Sequence, residues 1–129
     1  PTLRWTGCDV DRGEVFRIGA DVGIREGPST LRIASQTTPD APYRAAAITA
    51  IAELGTRWGG PVELVLDFVG TGPPGPGESL QLVRSLAASG TVSRIVFIQK
   101  PWMPGVLVSS VTGVLRSAGL PIALRREGA

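Results

Sequence analysis

Two segments constrain this chain more than any others: Val62-Glu63-Leu64-Val65-Leu66-Asp67-Phe68-Val69 and Val92-Ser93-Arg94-Ile95-Val96-Phe97-Ile98. Each is a near-continuous apolar run of strand length, rich in β-branched residues. A strand with one wet face alternates apolar and polar side chains, so runs like these belong to central strands covered on both faces. Between them, Glu78 to Ser89 places Leu80, Leu82, Val83, Leu86 and Ala87 at helical spacing, with Gly90 as a stop. Strand, helix, strand over so short a span predicts two parallel strands joined by a crossover helix.

The flanking sequence extends the pattern. Residues 14–26 alternate apolar and polar side chains and read as strand. Glu26-Gly27-Pro28-Ser29 is a turn, and Thr30 to Ser35 alternates again, so the two form a hairpin. Asp40 is placed to cap a helix from about Ala41 to Arg57, with Pro42 in its first turn and Ala45, Ile48, Ile51, Ala52 and Leu54 as its apolar stripe; Gly59-Gly60-Pro61 ends it. Gly70 to Gly77 is a Pro/Gly loop and Lys100 to Gly105 a second loop. Val106 to Ala118 is a third helix, and Pro121 to Arg125 a last strand. Residues 1–13 read as an irregular arm or short edge strand. The expected fold is a single α/β domain over residues 1–129. It has a mostly parallel, mixed sheet, about three helices and the order β-β-α-β-α-β-α-β.

Composition excludes several chemistries. The 129 residues contain no histidine and one cysteine, Cys8. That removes Ser-His and Cys-His nucleophile pairs, an intrachain disulfide and a structural zinc site. A carboxylate-only magnesium or calcium site stays open, but Asp9-x-Asp11 lacks the further ligands of a calcium loop and reads as a solvated turn. Thirteen basic and eleven acidic residues give a net charge of +2, and the basic residues are scattered, which argues against nucleic acid as a partner. No segment resembles a membrane span or a signal peptide, so the expected location is the cytoplasm and the expected partner a protein, a second copy of the chain included. No cofactor, metal or catalytic residue is expected.

In open α/β sheets ligands bind beyond the carboxyl ends of the strands. Those ends lead here into Asp67 to Ser79 and Gln99 to Gly105. The residues of interest for interaction or switching are therefore Asp67, Glu78, Ser79, Lys100 and Trp102. Asp67 reads as a carboxylate bonding its own loop, with metal ligand or base as the alternative. Lys100, the only lysine, reads as a surface residue, with nucleophile or base as the alternative. Trp102-Met103-Pro104 reads as an apolar contact patch. Gly72-Pro73-Pro74-Gly75-Pro76-Gly77-Glu78-Ser79 has the spacing of a phosphate-binding P-loop. It has Glu78 where the lysine belongs, and Pro76 withdraws an N–H from the cradle.

From Leu31 to Leu124, the order of strands and helices resembles the STAS family of anti-sigma-factor antagonists. The quoted segments are Asp40 at its helix start, Leu64-Val65-Leu66-Asp67, Ile95-Val96-Phe97-Ile98, and a helix closing on Ala118-Gly119-Leu120. The resemblance implies a non-enzymatic regulatory domain presented to a protein partner. It also implies that Ser79, behind Glu78, is a site of phosphorylation. Leu80 to Arg125 is also similar to the end of a short-chain-dehydrogenase-type Rossmann domain, through Leu115-Arg116-Ser117-Ala118-Gly119-Leu120-Pro121. With no G-x-G-x-x-G and no Tyr-x-x-x-Lys, that likeness implies a catalytically silent scaffold element, like the structural half of a polyketide ketoreductase. A third alternative is a small-molecule or nucleotide enzyme using the 67–79 loop.

Overall fold

A computed structural model describes residues 3–5, 13–36, 40–69 and 76–127. Seven strands and three helices follow in the order β1 (Leu3–Trp5), β2 (Glu14–Ile18), β3 (Asp21–Gly27), β4 (Thr30–Ser35), α1 (Ala41–Trp58), β5 (Val62–Phe68), α2 (Pro76–Ser89), β6 (Val92–Gln99), α3 (Gly105–Arg116) and β7 (Ile122–Arg126). The expected α/β class holds. One sheet carries all seven strands in sequence order, β1-β2-β3-β4-β5-β6-β7. β1 to β4 form an antiparallel meander, and β4 to β7 run parallel.

Two sequence expectations are corrected. The alternating segment 14–26 is two strands, because the chain reverses at Gly19-Ala20; Gly19 takes a left-handed φ of 59°, which a glycine adopts at little cost. The alternation continues through this turn, so periodicity alone hides it. In α1 the buried residues are Tyr43, Ala47, Ala50, Ile51, Leu54 and Gly55. The expected stripe was rotated: Ala45 faces solvent, and Ile48 and Ala52 are half-buried. The placement of Tyr43, drawn inward by a buried carboxylate, sets the helix face.

Local chemistry accounts for the element ends. Asp40 caps α1 by accepting the Tyr43 N–H at 3.0 Å. At the far end, Gly59 adopts φ 87°, and the N–H groups of Gly59 and Gly60 both donate to the Gly55 carbonyl. Pro76 opens α2 two residues earlier than the sequence suggests, so Gly77 and Glu78 lie in its first turn.

Right-handed crossovers that step always in one direction place every helix on the same face. The main core shows this. Buried residues of α1, α2 and α3 (Ile51, Leu54, Val83, Leu86 and Val108 among them) join Leu31, Leu64, Ile95 and Phe97 in one cluster, with the Phe68 and Phe97 rings 5.2 Å apart. The opposite face carries no helix among the described residues. Its centre is nevertheless buried: Val65 is 0% exposed, Val96 5% and Ile98 5%.

Coiling of the sheet contributes to this burial. Glu26 lies on β3 and Arg125 on β7, four places away, yet their side chains meet at 2.9 Å. In a flat sheet those strands would stand about 19 Å apart, at about 4.8 Å per spacing, beyond the reach of the two side chains. Twist therefore folds the helix-free face over itself. Arg32 approaches the same Glu26 at 3.7 Å, and Arg94 pairs with Glu63 at 2.8 Å. Of partly buried apolar residues, Ala123 packs against the small centre of this face.

Candidate functional site

Register carries three polar residues to one rim. Leu66 pairs with Phe97, and Gln99 with Arg126. Side chains alternate between faces, so Asp67 at the end of β5, Lys100 just after β6 and Glu127 just after β7 all fall on the helix-free side at the carboxyl edge. Lys100 Nζ stands 2.5 Å from Asp67 Oδ1 and donates to Glu127 Oε2. The Glu127 N–H in turn donates to the Gln99 carbonyl at 3.0 Å, which fixes the turn after β7 against the end of β6.

The three groups differ in exposure. The side chains of Lys100 and Asp67 are 10% and 12% exposed, whereas that of Glu127 is 47% exposed. Lys100 is thus not the surface residue its sequence context suggests, and Asp67 meets that lysine; the loop that Asp67 was expected to bond, residues 70–75, lies outside the described residues. Burial acts to lower the Lys100 pKa. The hydrogen bonds and charges of Asp67 and Glu127 outweigh it and hold the ammonium above its ordinary value. A nucleophilic or general-base lysine needs the opposite shift, so Lys100 is placed here as a fixed cation.

Glu78 is not part of this cluster. Glu78 is exposed in the first turn of α2, where its charge complements the helix dipole. The Ser79 backbone lies in the same turn, and its side chain is outside the described residues, as are loop residues 70–75, Cys8, Asp9 and Asp11. Trp102 is 48% exposed on the turn between β6 and α3. That turn is anchored from below by Met103, 5% exposed, whose N–H donates to the Lys100 carbonyl at 3.1 Å. Val106, in the first turn of α3, is 81% exposed.

Glu127 was missed in the sequence because the last strand was expected to end at Arg125. The signal was there: Asp67, Lys100 and Glu127 are each a polar residue near the end of a strand-forming run, and parallel register aligns such ends. A second polar node was also missed. Asp21, fully buried, accepts the Tyr43 hydroxyl at 2.6 Å, the Gln36 N–H at 2.6 Å and the Ser35 hydroxyl at 3.4 Å. Burial first, and then the hydrogen bond and charge of Asp21, raise the Tyr43 pKa far above its ordinary value. This node joins β3, the end of β4 and α1.

Two concavities lie at opposite edges of the sheet. One, of about 240 Å³, is lined by Gln99, Lys100, Pro101, Met103, Arg126 and Glu127. The other, of about 350 Å³, lies at the opposite edge, where Gly55, Gly59, Gly60, Pro61, Gly90 and Thr91 line it and no side chain titrates. The described residues hold no group of three or more His, Cys, Asp or Glu that could bind a metal, and none of their helices is long and apolar enough to cross a membrane. Since the parallel strands keep sequence order, the sheet lacks the reversal of strand order that creates a ligand crevice in doubly wound folds. Compared with known protein families, curated proteins and solved structures, the chain has no match.

Proposed function

We propose that this chain is a non-enzymatic protein-interaction domain of STAS-like build, docking its partner on the carboxyl edge of the sheet. The observation that carries the proposal is the exposure of Trp102 on a turn held by buried Met103, with Val106 beside it in sequence. A half-exposed tryptophan on an anchored turn is the kind of residue that dominates binding energy at interfaces, since little conformational freedom is lost when it is covered. The lysine nearest to it is committed to two carboxylates, which leaves the edge with recognition groups rather than reacting ones. The order of elements from β4 to β7 supports the STAS-like reading. That reading also makes Ser79, in the first turn of α2, a position where a phosphate would meet helix N-terminal amides.

The test is site-specific photo-crosslinking in the source organism, with the crosslinker at position 102 or at Glu53 on the exposed side of α1. The proposal expects one protein captured from position 102 and not from position 53, and its co-purification lost in Trp102→Ala. Equal labelling from both positions would refute it.

A further inference from the structure

The sheet ends on β7 at its parallel side, and among the described residues no strand lies beyond it. The Ile95 N–H donates to the Pro121 carbonyl and the Glu127 N–H to the Gln99 carbonyl, each at 3.0 Å. Backbone groups of successive residues point to alternate sides of a strand. Pro121, Ala123, Arg125 and Glu127 therefore turn theirs toward β6, and Ile122, Leu124 and Arg126 turn theirs outward. Such an edge accepts a further strand unless proline, lysine or a bulge guards it. β7 has none of these. It reads Ile-Ala-Leu-Arg-Arg. Its register with β6 runs unbroken from Ile95–Ile122 to Gln99–Arg126, whereas the β2–β3, β3–β4 and β5–β6 pairings each carry a shift. Arg125 leans away from the edge, back across the sheet to Glu26 on β3. Leu124, at the middle of the strand, is 45% exposed. The opposite edge strand, β1, has only three residues.

We infer that β7 is a self-association edge, to which a second copy of this chain adds its own β7 antiparallel, about a twofold axis through Leu124. The strand's own pattern selects this occupant. In that register Leu124 lies opposite Leu124 of the second copy, Ile122 opposite Arg126 and Ala123 opposite Arg125, so no like charges are directly opposed. All three outward-facing residues exchange backbone bonds, about six in total. A slip of two residues toward the C-terminus sets Arg125 directly against Arg125, which repels. A slip the other way leaves only Ile122 and Leu124 exchanging bonds within the strand. The pairing is isologous, so it closes at two copies and consumes both edges. Paired residues share a sheet face, which puts the helices of both copies on one side and lets the two Leu124 side chains, each exposed in the single chain, cover one another. An interface one strand wide is small, and the association is weak and reversible. The inference goes beyond the docking proposal and does not need it, since Trp102 lies on the turn after β6, outside the paired strands.

The experiment is sedimentation velocity of the whole chain over a range of concentrations, with amide-resolved hydrogen exchange at the two ends of that range. The wild type is expected to move from 13.5 kDa toward twice that mass. The amides of Ile122, Leu124 and Arg126 are expected to gain protection with concentration, while those of Ala123 and Arg125, already bonded to β6, stay unchanged. Leu124→Lys opposes two ammonium groups at the axis and is expected to stay monomeric, and Leu124→Glu likewise with two carboxylates. An equimolar mixture of these two variants is expected to recover the dimer, which a folding defect in either would not allow. Trp102→Ala is expected to associate as the wild type does. A wild type that keeps the monomer mass at every concentration overturns the inference. So does a dimer that survives Leu124→Lys, a variant mixture that stays monomeric, or protection gained away from β7. Loss of the dimer in Trp102→Ala also overturns it, by moving the self-association to the carboxyl edge.

Discussion

Single residues in this chain are decided by which partner a buried charge finds. Asp21 and Lys100 show two solutions. Asp21 accepts hydrogen bonds from the Tyr43 hydroxyl and the Gln36 N–H, while Lys100 is held by opposite charge. Tyr43→Phe removes one donor from a fully buried carboxylate and is expected to cost about 1–3 kcal/mol, read from urea denaturation. Its effect on pH dependence has a defined sign. The folded protein keeps the Tyr43 proton at a pH where the unfolded chain, with an ordinary value of about 10, releases it. The stability this contributes is complete below about pH 10 and falls as pH rises further. Lys100, also raised, behaves the same way above its ordinary value of about 10.4. Alkaline unfolding should therefore be less steep in Tyr43→Phe than in the wild type; identical slopes would contradict the account. Lys100→Met should cost about 3–5 kcal/mol, because it strands Asp67 as a buried unpaired charge, and the double variant Asp67→Leu, Lys100→Met should recover much of that loss. Additive losses in the two single variants would show that the pair is not coupled.

Elements were legible in the sequence where burial dictated the pattern. The apolar runs of β5 and β6 could only be central strands, and the capping Asp40 with Pro42 located α1 to within a residue. The β2–β3 turn was not legible, since Gly19-Ala20 interrupts neither the alternation nor the polarity around it. The rotated stripe of α1 has the same origin: a run of alanines gives nearly equal hydrophobicity to neighbouring faces, and the position of Tyr43 breaks the tie. A close approach within the meander adds a test. A Cβ at Gly23 would run into the ring of Phe16, which is itself fully buried. Gly23→Ala should destabilise by about 1–3 kcal/mol through overpacking, measured by thermal or urea melts, whereas Gly77→Ala, with open space around it, should not share that penalty.

For the whole molecule, the governing fact is a sheet whose strands keep sequence order. It puts three helices on one face and leaves the other to be covered in part by its own coiling. Asp67, Lys100 and Trp102 could be picked out from the sequence because strand ends can be counted along a chain. Glu127 and the meeting of Glu26 with Arg125 could not, because they depend on register and twist between strands far apart in sequence. The same geometry removes the crevice of a doubly wound enzyme and leaves a rim with one exposed tryptophan and one committed lysine. The charge state of that lysine is the central claim. Because Lys100 is the only lysine in the chain, protein labelled with lysine carrying 13C at Cε gives a single side-chain resonance, which can be followed from neutral to alkaline pH. The account predicts that this resonance keeps its ammonium position up to the ordinary lysine value of about pH 10.4 and beyond. A transition near neutrality would contradict it and place a neutral amine at the rim.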